Sequence, residues 1–257
     1  MILGAIIGDI IGIPYEFIRP RMRSKDFPLF QQRCRVSDDS VMTVANMEWL
    51  MGRDLVSAMR DLANRYPKAG YGGMFRKWIN NTKMGPYNSL GNGSAMRVSP
   101  VAWVAKDLDE CRRLARRSAE VTHNHPEGIK GAEAVASAIW MAKHKAPKAV
   151  IKNYIEENFG YDLDTTVDKI REDYTFDATC PGSVPQAIRC FLEGESYEDT
   201  VRNAVSLGGD TDTQAAIAGG IAEAYYGIPQ DIINRALKFI PDDLLNSIKQ
   251  FSEKYGN

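Results

Sequence analysis

Apolar residues recur along this chain at intervals of three and four, and nowhere with the two-residue alternation of a half-buried strand. The pattern runs through VMTVANMEWL (41–50), AVASAIWMAKH (134–144), VPQAIRCFLEG (184–194) and DIINRALKFI (231–240). It predicts an all-α fold, a compact bundle of roughly a dozen helices of ordinary length. Punctuation agrees: Pro126, Pro147 and Pro229 suit the first turn of a helix, and Gly52, Gly160, Gly194 and Gly227 stand where C-terminal glycines are expected. No repeat, low-complexity tract or linker interrupts the pattern, so residues 1–257 are expected to form a single domain. Gly4, Gly8 and Gly12 recur every fourth residue on one face of the first helix, which predicts the close approach of a second helix. Pro14 ends that helix and delivers Glu16 into a turn, either as a surface residue at a break or as a carboxylate placed at a pocket.

Charge excludes some functions. Lys and Arg number 32 against 33 Asp and Glu, so there is no global basic field to hold a phosphate backbone, and nucleic acid is not an expected partner. The run Arg112, Arg113, Arg116 and Arg117 reads as a solvated helix face. Cys34, Cys111, Cys180 and Cys190 form no CxxC pair and fit a reducing cytosol. The apolar N-terminus MILGAIIGDIIGIP has no basic leader, carries Asp9 at its centre and reaches Pro14 well short of the ~20 residues a bilayer requires. It reads as a buried helix. A cytoplasmic protein with no membrane partner is expected, and a monomer needs no special assumption.

Two clusters carry the chemistry. Ser37-Asp38-Asp39-Ser40 precedes an apolar helix and, taken alone, is an ordinary N-cap. Asp210-Thr211-Asp212-Thr213 opens AAIAGGIAEAYYG, a helix so rich in alanine and glycine that it must be closely packed, with its start inside the protein. Two carboxylates in such a place need compensation, because an unpaired buried charge costs several kcal/mol. A hard divalent cation with hydroxyl and carboxylate ligands is the natural remedy. If Glu16 joins Asp38, Asp39, Asp210 and Asp212, five negative charges face two divalent ions and the site is nearly balanced.

Gly91-Asn92-Gly93-Ser94, ahead of AMRVSPVAW, can form an anion site at a helix start, and Gly208-Gly209 remove side chains where a sugar or phosphate would approach the backbone. Met96 stands where a GxGxxG fingerprint needs its third glycine, and GxxxxGK[ST] is absent, so dinucleotide and P-loop readings are poor. His123-Asn124-His125-Pro126 lacks the further His or Cys of a zinc site and suits a capping or ligand-facing role. No histidine is followed by Asp, which disfavours the HD-type phosphohydrolases. Tyr71, Phe75 and Tyr87 are candidates for stacking on an adenine.

Taken in order, GAIIGDIIGIPYE (4–16), SDDSVMT (37–43), GNGSAMRVSP (91–100), THNHP (122–126) and LGGDTDTQAAIAGGIAEAYYG (207–227) resemble the ADP-ribosylglycohydrolase family, which includes the dinitrogenase-reductase-activating glycohydrolases. The resemblance implies an all-α fold and a metal-dependent hydrolase whose two Mg²⁺ or Mn²⁺ ions help release ADP-ribose from modified side chains. It places Ser37, Asp38, Asp39, Asp210, Asp212 and Thr213 at metal-ligand positions, and Glu16 beside the metals, with Glu16, Asp38 and Asp39 in catalytic roles. Ser89, Gly91, Asn92 and Gly93 fall on the loop that lines phosphates and ribose, with His123 ligand-facing. Serine stands at 37 and 40 where the family usually has threonine, which keeps the hydroxyl donor. The implied reaction is attack at the anomeric carbon of the distal ribose, on an arginine- or serine-linked substrate. Its rivals are hydrolysis of a free ester such as O-acetyl-ADP-ribose and a non-catalytic ADP-ribose-binding relative.

Overall fold

A computed structural model describes residues 1–256; Asn257, the last residue of the expected domain, lies outside them. Fifteen α-helices and two single 3-10 turns account for the regular structure, and among the described residues there is no strand. In chain order the helices are α1 (Gly4–Gly12), α2 (Asp38–Leu50), α3 (Leu55–Arg65), α4 (Gly73–Asn80), α5 (Gly93–Met96), α6 (Val101–Val104), α7 (Leu108–Glu120) and α8 (Pro126–Lys143). The series continues with α9 (Lys148–Phe159), α10 (Val167–Asp173), α11 (Cys180–Glu193), α12 (Tyr197–Ser206), α13 (Thr211–Tyr226), α14 (Gln230–Ala236) and α15 (Asp242–Tyr255). The all-α expectation holds, and the count exceeds a dozen partly because α5 and α6 are single turns. No helix of the described residues is long and apolar enough to cross a membrane.

The helix pair that organises the molecule is α1 against α13. Every residue of α1 is buried, as is every residue of α13 up to Ala224. A Cβ on Gly4 would collide with Gly219 and Glu223, one on Gly8 with the backbone of Ala215, and one on Gly12 with Thr211 and Asp212. The glycine face therefore lets two backbones touch, as its spacing predicts. Ascending residue numbers on α1 meet descending numbers on α13, so the helices run antiparallel. The C-terminal end of α1, leading to Glu16, is thus set beside the N-terminus of α13, where Asp210, Asp212 and Thr213 stand.

Polar groups pin this pair at both ends. Glu223, near the end of α13, accepts from the backbone N–H groups of Leu3 (2.8 Å) and Gly4 (2.7 Å), which satisfies donors that α1 has no side chain of its own to cap. At the opposite end the Thr211 hydroxyl donates to the Gly12 carbonyl at 2.9 Å. On α7 Arg113, Arg116 and Arg117 are exposed, as expected of a solvated face, and Arg112 and Arg116 also reach across to the buried carboxylate of Glu133 on α8. All four cysteines are free and buried.

Candidate metal centre and ligand cleft

A cleft of about 430 Å³ opens where the end of α1 meets the N-termini of α2, α5 and α13. One end is acidic, with Glu16, Asp38, Asp39, Asp210 and Asp212 on its wall beside Thr213. The other is built by Ser89, Gly91, Asn92, Gly93, Arg97 and His123. Two motifs more than 150 positions apart in sequence therefore converge, and the antiparallel α1–α13 pair is the reason.

Ser37 is the N-cap of α2: its hydroxyl accepts from the Asp39 N–H at 3.1 Å and lies 3.4 Å from Asp39 Oδ2. It stands behind the cleft wall, and Asp38 and Asp39 form that wall. Asp9 organises this turn. Its Oδ2 accepts from the N–H groups of Ser37 (2.9 Å) and Ser40 (3.1 Å) and from the Ser40 hydroxyl, inside a fully buried helix. Asp9 was legible only as a charge interrupting an apolar run; a carboxylate at the centre of such a helix is itself the signal, since it must find donors.

Opposite, Asp210 Oδ2 accepts from Asn92 Nδ2 at 2.7 Å, and that amide also donates to Ser183 Oγ at 3.0 Å. Asp212 Oδ1 accepts from the Thr213 N–H at 3.0 Å. Carboxylate oxygens of Glu16, Asp210 and Asp212 all lie within 4.8 Å of one another, so Glu16 faces the pocket. None of the five cleft carboxylates is paired with a Lys or Arg among the described residues, and Asp39 Oδ1 is buried with no hydrogen-bond partner. An all-oxygen donor set with an orphaned buried carboxylate oxygen fits a hard divalent cation.

Electrostatics lead to the same fit. Burial, reinforced by neighbouring carboxylates, pushes Glu16 and Asp38 up to about 8 and Asp39 and Asp212 well above the carboxylate range. Burial likewise raises Asp210 to about 6. Between about pH 4, where such groups titrate when unfolded, and about pH 8, the folded protein binds more protons than the unfolded chain, so its metal-free stability falls as pH rises. Tm without divalent ions is expected to be higher near pH 5 than near pH 8. Saturating Mg²⁺ should raise Tm more at the higher pH, where the carboxylates are free to bind it. Glu223, raised to about 7 by burial, contributes the same slope but no cation response. Differential scanning calorimetry with and without Mg²⁺ checks this; an equal cation effect at both pH values would remove the acidic end as the binding site.

The loop Ser89–Gly93 is held by backbone pairing to residues 178–180: the Asn92 N–H donates to the Ala178 carbonyl (2.8 Å) and the Cys180 N–H to that of Leu90 (2.9 Å). His123 is buried against this loop, its Nε2 lying 3.0 Å from where a Cβ on Gly93 would stand and 3.5 Å from that of Gly91. These glycines make room for the imidazole. His125, two residues on, is the N-cap of α8 and accepts from the Glu127 N–H at 3.1 Å. Of the proposed stacking residues, Phe75 and Tyr87 line the cleft, while Tyr71 is buried against Phe75 behind it.

The expectation for Gly208-Gly209 is corrected. A Cβ on Gly209 would strike the Tyr174 ring and one on Gly208 the Met22 carbonyl, so these glycines admit protein and leave no room for a ligand. Residues not singled out from the sequence are Arg97, although it lies within GNGSAMRVSP, and the exposed apolar rim of Phe17, Met74 and Phe176, with the rings of Phe17 and Phe176 centred 6.0 Å apart. Exposed apolar residues gathered at one mouth are the mark of a binding edge, but their sequence positions share no spacing that announces it.

Comparison with known proteins bears on this geometry. The family model described as ADP-ribosylglycohydrolase matches residues 1–256. ADP-ribosylhydrolase ARH3 of Mus musculus is 27% identical over 97% of this chain and 86% of its own length. ADP-ribosyl-(dinitrogen reductase) glycohydrolase of Rhodospirillum rubrum is 21% identical over 88% of this chain and 84% of its own. Among solved structures, an ADP-ribosylglycohydrolase-related protein complex superposes with a TM-score of 0.70 at 25% identity, covering 98% of this chain and 96% of that one.

Proposed function

Because this chain belongs to the ADP-ribosylglycohydrolase family, we propose that it releases ADP-ribose from an arginine- or serine-linked side chain by hydrolysis at the anomeric carbon of the distal ribose, with two Mg²⁺ or Mn²⁺ ions at the acidic end of the cleft. The observation that carries this reading is the convergence of Glu16, Asp210 and Asp212 within 4.8 Å at one end of a cleft whose other end presents a glycine loop and a histidine. Asp38, Asp39, Asp210, Asp212 and Thr213, with Ser37 behind them, would hold the ions. Bound there, divalent cations supply charge that orients ribose hydroxyls and makes a water more acidic.

The protein's own groups do the rest. Asn92 holds the Asp210 carboxylate in one orientation through its 2.7 Å hydrogen bond. Asp9 fixes the turn that carries Asp38 and Asp39. Glu16, half-buried and without a Lys or Arg ion-pair partner among the described residues, would take a proton from water at the ribose. Burial, and after it the neighbouring carboxylates, raise its pKa to about 8, and cations bound beside it would offset those carboxylates and lower it toward the range a general base needs. Ser89 and Gly91–Gly93 hold the phosphates and proximal ribose, and the Phe17–Phe176 edge borders the acidic end, where the modified side chain would enter.

The test is release of free ADP-ribose from an ADP-ribosylarginine protein and an ADP-ribosylserine peptide, each with Mg²⁺, with Mn²⁺ and with chelator. Cation-dependent release from either is expected, with loss of at least about a hundredfold on chelation. Release that survives chelation overturns the metal assignment. Turnover of O-acetyl-ADP-ribose alone would replace the side-chain substrate with a free ester.

A further inference from the structure

The cleft carries five carboxylates and, among the described residues that line it, one cationic side chain, Arg97. Arg97 is 1% exposed and has no carboxylate partner. One of its terminal nitrogens donates to the Ser118 carbonyl in the last turn of α7 (2.7 Å) and to Thr122 Oγ1 (2.8 Å), and its Nε has no partner. Holding the end of α7 accounts for the first of these bonds. It does not account for a guanidinium, because an uncompensated buried charge is costly and a neutral donor would serve α7 as well. Burial pulls Arg97 down to about 10, which still leaves it charged at neutral pH.

The bond to Thr122 leads directly to His123. Thr122 Oγ1 is 2.7 Å from His123 Nδ1. A guanidinium can only donate, so Thr122 Oγ1 accepts from Arg97. Thr122 is fully buried, and among the described residues its own hydroxyl proton has one acceptor, His123 Nδ1. That arrangement satisfies the hydroxyl, whereas an Nδ1–H ring would leave the Thr122 proton without an acceptor. Burial and the adjacent Arg97 charge both disfavour the imidazolium. Nε2 therefore carries the hydrogen, and it lies against Gly91 and Gly93.

We propose that Arg97 and Thr122 are positioning residues that lock His123 as a neutral Nε2–H donor, and that this donor, backed by the Arg97 charge, selects an anionic group seated on the Gly91–Gly93 loop. Resting on the ADP-ribosyl reading above, that group is the diphosphate. Without Arg97 the residues lining the cleft would carry five carboxylates and no cation, a net field that repels an anion. The locked tautomer adds selectivity, since an Nε2–H meets an acceptor-only phosphate oxygen and never competes with it for a proton.

Nitrogen NMR of histidine-labelled protein, with the three histidines assigned, reads the tautomer directly. At neutral pH His123 is expected to show an unprotonated Nδ1 and a protonated Nε2. Calorimetry on Thr122→Val, which keeps the shape but removes the relay, should show ADP-ribose binding weakened about tenfold. Binding of adenosine, which lacks phosphates, should change less than about twofold. Thr122→Ser should restore ADP-ribose affinity, and KM should rise in Thr122→Val while kcat holds. An Nδ1–H ring in the wild type overturns the proposal, as does equal loss of ADP-ribose and adenosine affinity, or ADP-ribose affinity unchanged in Thr122→Val. If the wild type neither binds nor releases ADP-ribose, the functional reading fails and takes the diphosphate with it, while the spectrum still decides the tautomer.

Discussion

Asp210→Ala is expected to lower turnover of an ADP-ribosylated substrate by at least about a thousandfold while leaving the protein folded. Asp210 is one of three carboxylates that meet at the acidic end, and it is held in place by Asn92. Its removal takes an anionic ligand from the cation site at the point where the sugar must be oriented. Stability should move the other way. Burial raises the carboxyl to about 6 and the neighbouring acids repel it, so its loss relieves a penalty in the metal-free state. Metal-free Tm near pH 8 is then expected to match or exceed that of the wild type, while the Tm gain from Mg²⁺ shrinks. Those opposite signs separate a lost cation ligand from a damaged fold. Calorimetry beside the release assay reads both; full activity with undiminished metal content would place the reaction centre elsewhere.

Gly8→Ala is expected to destabilise the protein by about 3 kcal/mol, a large effect for one methyl group. The added Cβ would fall well inside contact distance of the Ala215 carbonyl and into the backbone of α13, which cannot rotate away as a side chain can. The two helices must separate or slide, and because their ends carry Glu16 and Asp210–Thr213, activity should fall even in the fraction that folds. Gly85→Ala is the control: nothing lies within 4 Å of its Cβ position and its φ is not positive, so stability should change by less than about 1 kcal/mol. Urea denaturation of the two variants gives the comparison. A Gly8→Ala protein as stable as the Gly85→Ala control would mean that the α1–α13 contact is looser than described.

Much of this was open to reading along the chain. The periodicity of 41–50 falls within α2, and that of 134–144, 184–194 and 231–240 ends one residue beyond α8, α11 and the 3-10 turn that follows α14. The four-residue glycine spacing in α1 meets the small-residue helix α13, as two complementary faces should. SDDS and DTDT announce oxygen-rich helix starts because their residue types are chemically suited to cap or to ligate, whatever the rest of the fold does. Five motifs kept in order gave the family, and the match over residues 1–256 agrees.

What linear order cannot express is which distant groups share a space. Asp9 looked like an interruption of an apolar helix, and packing makes it the acceptor that shapes Ser37–Ser40. Arg97 stands unremarked inside GNGSAMRVSP, and packing makes it the one cationic side chain among the described residues that line the acidic cleft. Gly208 and Gly209 looked like room for a ligand, but Met22 and Tyr174 occupy that room. The physical reason is common to all three. Helix period, capping and small-residue faces are set by neighbours a few positions away, so the chain alone determined the helices and the chemistry they carry. Burial, pKa and hydrogen-bond partners are set by residues brought together from across the chain, so only the antiparallel packing of α1 on α13 decided that Glu16 would face Asp210 and Asp212 in one cleft.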